Sequence, residues 1–262
     1  MLNFAHGDVI MVGGFTIFYA VSMQSWPPLV GVLIAVVLCT VLGITIEYIA
    51  YRPLRQAASS LAVLITAIGV SYLLQNLALL LFGANPKAFT SVVTVPALKL
   101  ADGQLTISGE TIVTIVSCLV IMTGLMIFIN KTKAGQAMLA VAEDKGAAQL
   151  MGINVNGTIS LTFAIGSALA AIAGMLLCSA YPTLTPYTGS MPGIKAFVAA
   201  VFGGIGSIPG ALIGGIVLGI IEILSKAYIS SQLADAIVFM VLIIVLLVKP
   251  TGILGKKIQE KV

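Results

Sequence analysis

The sequence is dominated by apolar stretches close to 20 residues long, the length that a helix needs to cross roughly 30 Å of hydrocarbon. Hydrophobic residues make up 59% of the chain and charged residues 8%, against roughly 25% charged residues in soluble domains. Such a chain cannot cover itself with a wetted surface. The pattern therefore predicts an all-α, polytopic helical membrane protein, with apolar segments at 7–24, 29–51, 61–82, 111–129, 158–180, 194–224 and 233–248.

The segment 194–224 is interrupted by the run Gly203-Gly204-Ile205-Gly206-Ser207-Ile208-Pro209-Gly210. The part before this run is too short to span the membrane alone, since about 13 residues extend for only about 20 Å. Broken helices are tolerated where they line a cavity instead of lipid. We therefore predict about eight membrane passes, including short or broken helices, and place Gly204, Gly206 and Gly210 near a path through the membrane.

The distribution of Lys and Arg predicts the orientation of the chain. Basic residues concentrate on the cytoplasmic side of membrane proteins. With the C-terminus on the same side as Arg52 and Lys131, that side holds nine basic residues and the other side holds four. The nine are Arg52, Arg55, Lys131, Lys133, Lys145, Lys249, Lys256, Lys257 and Lys261, and the four are Lys87, Lys99, Lys195 and Lys226. The pattern thus predicts a cytoplasmic C-terminus.

No motif in the sequence points to an enzyme or a metal site. The chain has one histidine, His6, and its three cysteines lie in apolar stretches without the spacing of metal ligands. We therefore assign no catalytic or metal-binding residues and no cofactor to this chain. The sequence also lacks a phosphate-binding loop, because Gly255-Lys256 is followed by Lys257 and lacks the upstream glycine. If ATP drives the protein, a partner must bind the ATP.

Ionisable groups inside membrane spans usually mark an ion path, and the sequence offers few of them. Glu47 lies close enough to one helix end to pair with Arg52 or to reach the interface, and Glu222 is close to Lys226. We find no carboxylate near the middle of a span, which argues against an ion-coupled carrier. The neutral pair Gln75-Asn76 lies well inside its span, where it can bond either a substrate or a neighbouring helix.

A polar segment at 134–156 is predicted to form two short helices, because it is rich in alanine. Gly146 is expected to interrupt the helix and Gly152 to end it. The segment also carries apolar side chains on a loop that faces the cytosol, which favours a surface that docks into a partner's groove over a solvated loop. These side chains are Met138, Leu139, Leu150 and Met151.

The same segment resembles the cytoplasmic loop of importers driven by ATP-binding-cassette (ABC) ATPases, in which a Glu-Ala-Ala-like helix precedes a glycine. The matching run goes from Ala142-Glu143-Asp144 through Ala147-Ala148 to Gly152-Ile153. Six further motifs follow one another in the order found in LivH-type permeases of branched-chain amino-acid importers, so the resemblance covers essentially the whole chain. They are Asn3-Phe4-Ala5-His6-Gly7, Tyr51-Arg52-Pro53-Leu54-Arg55, Thr66-Ala67-Ile68-Gly69, Lys195-Ala196-Phe197, the glycine-rich run 203–210 and Lys249-Pro250-Thr251-Gly252-Ile253-Leu254-Gly255.

The resemblance implies a single transmembrane permease domain over 1–262, with a coupling loop at about 131–156, in a bacterial inner membrane. Its partners would be a second permease subunit, two ATPase subunits that hold ATP and Mg, and a periplasmic binding protein that delivers leucine, isoleucine or valine. No nucleic acid is expected. Members of the family carry one more helix before the Asn-Phe-Ala-His-Gly motif, so this helix is expected to be missing here.

The resemblance also assigns candidate residues to the two parts of the machine. The ATPase-coupling residues would be Gln136, Ala142, Glu143, Asp144, Ala147, Leu150, Gly152 and Ile153. For the translocation path we select Asn3, His6, Gln75, Asn76, Gly204, Gly206 and Gly210. Two alternatives stay open: a related permease for urea or short amides, and an ion-coupled secondary carrier.

Overall fold

A computed structural model of the chain describes residues 3–56, 60–100 and 105–255. Its contacts group into two compact units, Met1–Gly193 and Ile194–Val262. Lys256, Lys257 and Lys261, which entered the predicted orientation, lie outside the described residues. The assignment of 1–262 to a single permease domain stays a prediction.

The first unit is built from long apolar helices. Helices α1 and α2 each end in a widened π-helical turn, Tyr19–Met23 and Glu47–Tyr51, and a short 3-10 turn at Pro53–Gln56 follows α2. The helices of this unit are α1 (His6–Phe18), α2 (Pro28–Ile46), α3 (Ser60–Phe82), α4 (Gly109–Lys131), α5 (Lys133–Glu143), α6 (Lys145–Leu150) and α7 (Val155–Ala180).

Small residues let α1, α2 and α7 approach each other closely. A Cβ atom on Gly174 of α7 would lie 2.5 Å from the carbonyl oxygen of Ile10 in α1. A Cβ on Gly43 of α2 would lie 2.0 Å from the hydroxyl of Ser167 in α7. In lipid, where no hydrophobic force drives helices together, such close backbone contact supplies the packing energy. These three helices therefore form the core of the first unit.

Two short antiparallel strand pairs lie mainly between the predicted apolar segments. Strand β1 (Lys87–Ala88) pairs with β4 (Thr183–Leu184), and β2 (Leu98–Leu100) pairs with β3 (Leu105–Ile107). The β1–β4 pair ties the end of α3 to the end of α7, which places both helix ends on the same side of the unit.

The second unit contains the part of α8 (Ser190–Gly203) that follows Gly193, together with α9 (Ile208–Tyr228) and α10 (Ala234–Val248). The break between α8 and α9 falls at 204–207, inside the predicted glycine-rich run. Gly204 and Gly206 adopt φ values of 109° and 89° there, a region that disfavours residues with a side chain. The backbone N–H groups of Ile253 and Leu254 donate to the carbonyls of Phe202 and Gly203, both at 2.9 Å. The C-terminal segment thus satisfies the end of α8.

The helix count agrees with the predicted fold class. Among the described residues, six helices are long and apolar enough to cross a membrane, and two shorter apolar helices, Ser190–Gly203 and Ala234–Val248, accompany them. Together these make the eight segments expected from the sequence, including the short piece before the glycine-rich break.

Candidate functional site

Helices α5 and α6 form the predicted pair of short helices, and each starts with a side-chain cap. The hydroxyl of Thr132 accepts from the N–H of Gly135 at 3.0 Å, and the carboxylate of Asp144 accepts from Gly146 and Ala147 at 2.9 and 3.0 Å. The prediction that Gly146 interrupts the helix was wrong. The chain breaks at Asp144, which adopts an extended conformation and caps the next helix, while Gly146 lies within α6.

Gly152 ends α6, as predicted. Its φ of 82° is left-handed, and its N–H donates to the carbonyl of Gln149 at 3.0 Å. The N–H of Ile153 donates to the carbonyl of Ala148, also at 3.0 Å. These two bonds are those of a Schellman motif, which closes a helix with a left-handed glycine. The motif fixes the direction in which the chain leaves α6 towards α7.

We expect Gly152→Ala to destabilise this helix end by about 1–2 kcal/mol, because alanine pays the full penalty of the left-handed conformation. No atom lies within 4 Å of a Cβ at this position, so the effect is one of backbone conformation alone. Gly152→Asn is the matched control, since asparagine tolerates the same conformation. Hydrogen exchange at the amides of α6 measures the effect; equal exchange in both variants would contradict it.

The α5–α6 pair carries an exposed apolar surface at its tip. Leu150 is 90% exposed and Met151 is 82% exposed. The predicted coupling residues Gln136, Ala142, Glu143 and Ala147 are also exposed, Asp144 and Ile153 are half-buried, and Gly152 is exposed. Val141 and Ala148 point the other way and are buried. The α5–α6 pair therefore buries one face, which holds Val141 and Ala148, and exposes the side chains of Leu150 and Met151. An exposed apolar surface of this kind is what a docking site requires.

A buried ion pair lies beside this surface. Glu47 is fully buried and the side chain of Arg55 is 9% exposed. The guanidinium of Arg55 bonds the carboxylate of Glu47 and the side-chain oxygen of Asn156. The hydroxyl of Ser160 donates to the other carboxylate oxygen of Glu47 at 2.5 Å. The cluster of these four residues, here called the Glu47 cluster, joins the end of α2 to the start of α7.

The expected partner of Glu47 was therefore wrong. The sequence suggested Arg52 or the interface, but Arg52 instead stacks on the ring of Tyr48 at 5.1 Å. Burial lowers the pKa of the Arg55 guanidinium and the charge of Glu47 opposes that shift. Arginine remains protonated in proteins, so the carboxyl group of Glu47 faces a positive charge.

The predicted path residues of the first unit do not all lie together. The side-chain oxygen of Asn3 accepts from the N–H of Ala5 at 3.1 Å and from the hydroxyl of Tyr51 at 2.7 Å. His6 begins α1. Gln75 is buried and donates to the carboxylate of Asp8 at 3.0 Å. Asn76 is exposed and bonds only the carbonyl of Tyr72 in its own helix, at 2.8 Å, so it does not join Gln75.

The comparisons with known proteins bear on the whole chain. The profile of the family described as branched-chain amino acid transport system, permease component, matches residues 1–246. The chain belongs to this family. The LivH permease proteins of the high-affinity branched-chain amino acid transport systems of Escherichia coli K12 and Salmonella typhimurium are 44% and 43% identical to it over 274 residues. The BraD protein of Pseudomonas aeruginosa is 40% identical over 272 residues.

Each of these three alignments covers 100% of the chain and 88% of the relative. No solved structure matches the chain. As a member of the branched-chain amino acid permease family, the protein is a multi-pass membrane protein and a transporter subunit, and it is not an enzyme.

The second unit of this permease holds the remaining predicted path residues. Gly204 is buried in the α8–α9 break and Gly206 is exposed there. Gly210 is buried, and a Cβ on it would lie 2.5 Å from the carbonyl oxygen of Gly203. Glu222 pairs with Lys226 at 2.5 Å, as suggested, and also with Lys195 at 2.8 Å, which in turn pairs with Asp235 at 2.7 Å. The last two contacts were not predicted.

Asp8 is the polar residue that the sequence analysis of this permease missed. It is 1% exposed within α1, although it lies at the start of an apolar segment. The signal was present in the sequence as one acidic residue beside the Asn-Phe-Ala-His-Gly motif. Its burial depends on where α1 starts relative to α2 and α7, which hydropathy does not reveal.

Proposed function

We propose that the chain is the membrane permease subunit of an ABC importer that carries leucine, isoleucine and valine across the bacterial inner membrane. The similarity to LivH and BraD proteins over the entire chain carries this proposal. Among the described residues, six helices are long and apolar enough to cross a membrane. Such helices suit a subunit that forms the membrane path while partner subunits hydrolyse ATP.

The α5–α6 surface is proposed to dock on the ATPase. Leu150 and Met151 supply the exposed apolar contact, and the coupling residues Gln136, Ala142, Glu143, Asp144, Ala147, Gly152 and Ile153 surround it on the same two helices and the turn that follows. The Glu47 cluster lies where α7 begins, so movement of α6 reaches α2 and α7 through Asn156 and Arg55. This gives the ATPase a rigid connection to the core helices of the first unit.

The remaining parts of the machine are assigned to partners. A second permease subunit would complete the membrane path, two ATPase subunits would bind ATP and Mg, and a periplasmic binding protein would deliver the amino acid. The chain itself would bind no cofactor. The excess of basic residues on the side of Arg52 and Lys131 supports a cytoplasmic C-terminus.

In the first unit, the residues proposed for the translocation path lie among the buried polar groups of α1 and α3; in the second unit, they lie at the α8–α9 break. Asn3, His6 and Gln75 would contribute from the first unit, and Gly204, Gly206 and Gly210 from the second. Of the residues selected from the sequence, the exposed Asn76 has the weakest support, because it bonds only its own helix.

Uptake of leucine into membranes that carry the complete set of partners tests this function. We expect uptake in the presence of ATP, and at least a tenfold loss with Leu150→Asp, because a charge placed in an apolar docking groove is left without a partner. Leu150→Met keeps the apolar contact and is the matched control. Since Leu150 is 90% exposed, both variants are expected to fold and to reach the membrane.

Each alternative has its own outcome in this assay. Uptake that follows an ion gradient and survives Leu150→Asp would identify a secondary carrier. ATP-dependent uptake of urea or a short amide with none of leucine would identify the related permease class.

A further inference from the structure

A buried polar cluster surrounds Asp8 in the first unit. The side-chain nitrogen of Gln75 lies 3.0 Å from a carboxylate oxygen of Asp8, and 3.2 Å from the hydroxyls of both Ser71 and Ser190. Asp8 and Gln75 are 1% and 9% exposed. Three oxygens from α1, α3 and α8 thus surround one nitrogen, and the hydroxyl of Ser71 also donates to the carboxylate of Asp8. An amide has only two N–H groups, so Gln75 cannot serve all three oxygens at once.

This cluster lies beside the middle of α2. The thiol of Cys39 in α2 donates to the carbonyl of Val9, the residue after Asp8, at 3.6 Å. Cys39 is 11 residues from Pro28 and 12 residues from Tyr51, the two ends of the continuous span. At 1.5 Å per residue, about 17 Å of helix extends on either side. Asp8 is therefore level with the middle of α2, although it lies in the first turn of its own candidate span, His6–Met23.

Asp8 lies in a part of the first unit where the described residues supply no ion pair to it. Among residues 3–56, 60–100 and 105–255, no lysine or arginine forms an ion pair with it. Burial at this depth opposes a negative charge, whereas the position in the first turn of α1 favours one, because a helix N-terminus carries partial positive charge. A cation bound among the three oxygens would offset the remaining free-energy cost of burying a negative charge on Asp8.

We infer that Asp8, Ser71 and Ser190 form the binding site for the ammonium group of the transported substrate, and that the amide of Gln75 occupies this site when the substrate is absent. An ammonium has three N–H donors, one for each oxygen, and its charge matches the carboxylate. The inference rests on the proposed function, because an amino acid brings such a group into the membrane. Gln75 then acts as a built-in competitor that closes the path between transport cycles.

Leucine and 4-methylpentanoate, which is leucine without its amino group, test the site. Binding of both is measured on the purified permease–ATPase assembly without the binding protein. We expect the parent to bind leucine more tightly than 4-methylpentanoate. In Asp8→Asn the ratio of the two dissociation constants should fall roughly 100-fold, as removal of a charged hydrogen-bond partner predicts. Asparagine keeps the shape and one acceptor oxygen, so a merely structural role would leave the preference intact. Thr123→Ala is the control and should behave as the parent, because Thr123 is exposed on α4 and bonds the carbonyl of Leu119 in its own helix at 2.8 Å.

The outcomes separate this inference from the proposed function. Leucine uptake by the parent with unchanged preference in Asp8→Asn would overturn the inference and leave the function standing. A parent assembly that shows no preference for leucine would also overturn it. If Asp8→Asn fails to assemble, Gln75→Ala decides: it removes the competitor, so leucine should bind more tightly, and weaker or equal binding would contradict the inference.

Discussion

Replacing Arg55 with alanine is expected to destabilise the first unit by about 3–5 kcal/mol, the range for removing one partner of a buried ion pair. Glu47 would remain fully buried, with Ser160 as its remaining hydrogen-bond partner from α7. The loss would also separate the end of α2 from Asn156 at the start of α7. Unfolding in detergent with increasing dodecyl sulfate, followed by the fluorescence of Trp26, measures the effect within the same unit.

Arg52→Ala is the matched control, because Arg52 is three positions away and only stacks on Tyr48. Its expected cost is about 0.5–1 kcal/mol, that of a cation–π contact at an accessible site. The double variant Glu47→Gln, Arg55→Leu should recover much of the lost stability, since it removes both charges together. Equal destabilisation by Arg52→Ala and Arg55→Ala would show that the buried Glu47–Arg55 pair contributes no more to the free energy of unfolding than the contact of Arg52 with Tyr48.

Gly203→Ala is expected to destabilise the second unit by about 3 kcal/mol, the upper part of the range for overpacking. A Cβ at this position would lie 1.9 Å from the carbonyl oxygen of Gly210 and 2.2 Å from its carbon. Both are backbone atoms, so only a separation of α8 from α9 relieves the overlap. The amount of subunit that folds in the membrane should fall accordingly.

Gly215→Ala provides the contrast in the same pair of helices. Its Cβ would lie 3.9 Å from the Cβ of Ala199, an ordinary contact. Alanine is a better helix former than glycine by about 1 kcal/mol, so this variant should be as stable as the parent or more stable. Thermal unfolding followed by circular dichroism compares the two. A Gly203→Ala protein as stable as Gly215→Ala would contradict the crossing described for α8 and α9.

The long helices were predictable because their signal is local. The length and apolarity of a span are read directly from the sequence, and the glycine-rich run marked the break between α8 and α9. The two helices of the α5–α6 pair were also predicted, but their junction was assigned to Gly146. Asp144 interrupts the chain instead, because a side-chain cap stabilises the start of a new helix more strongly than one glycine disrupts an existing one.

The contacts that connect the helices were not predictable in the same way. Arg52 is five positions from Glu47 and Arg55 is eight, so distance along the chain favours the wrong partner. The choice between them depends on the π-helical turn at Glu47–Tyr51 and on Asn156 and Ser160, more than 100 positions later. Asp8 was missed for a similar reason. Its depth follows from contacts of α1 with α2 and α7, whereas its place in the sequence resembles that of an interfacial residue.

The bonds from Ile253 and Leu254 to the carbonyls of Phe202 and Gly203 have a consequence for the biogenesis of the protein. A ribosome releases the chain from its N-terminus onward, so the end of α8 emerges about 50 residues, and the end of α9 about 25 residues, before the segment that completes their junction. During that interval the last carbonyls of α8 lack these partners, which is costly in hydrocarbon. A nascent chain that stops short of Ile253 therefore lacks both of these hydrogen bonds at the end of α8, so this junction is completed only when nearly the whole chain has been made.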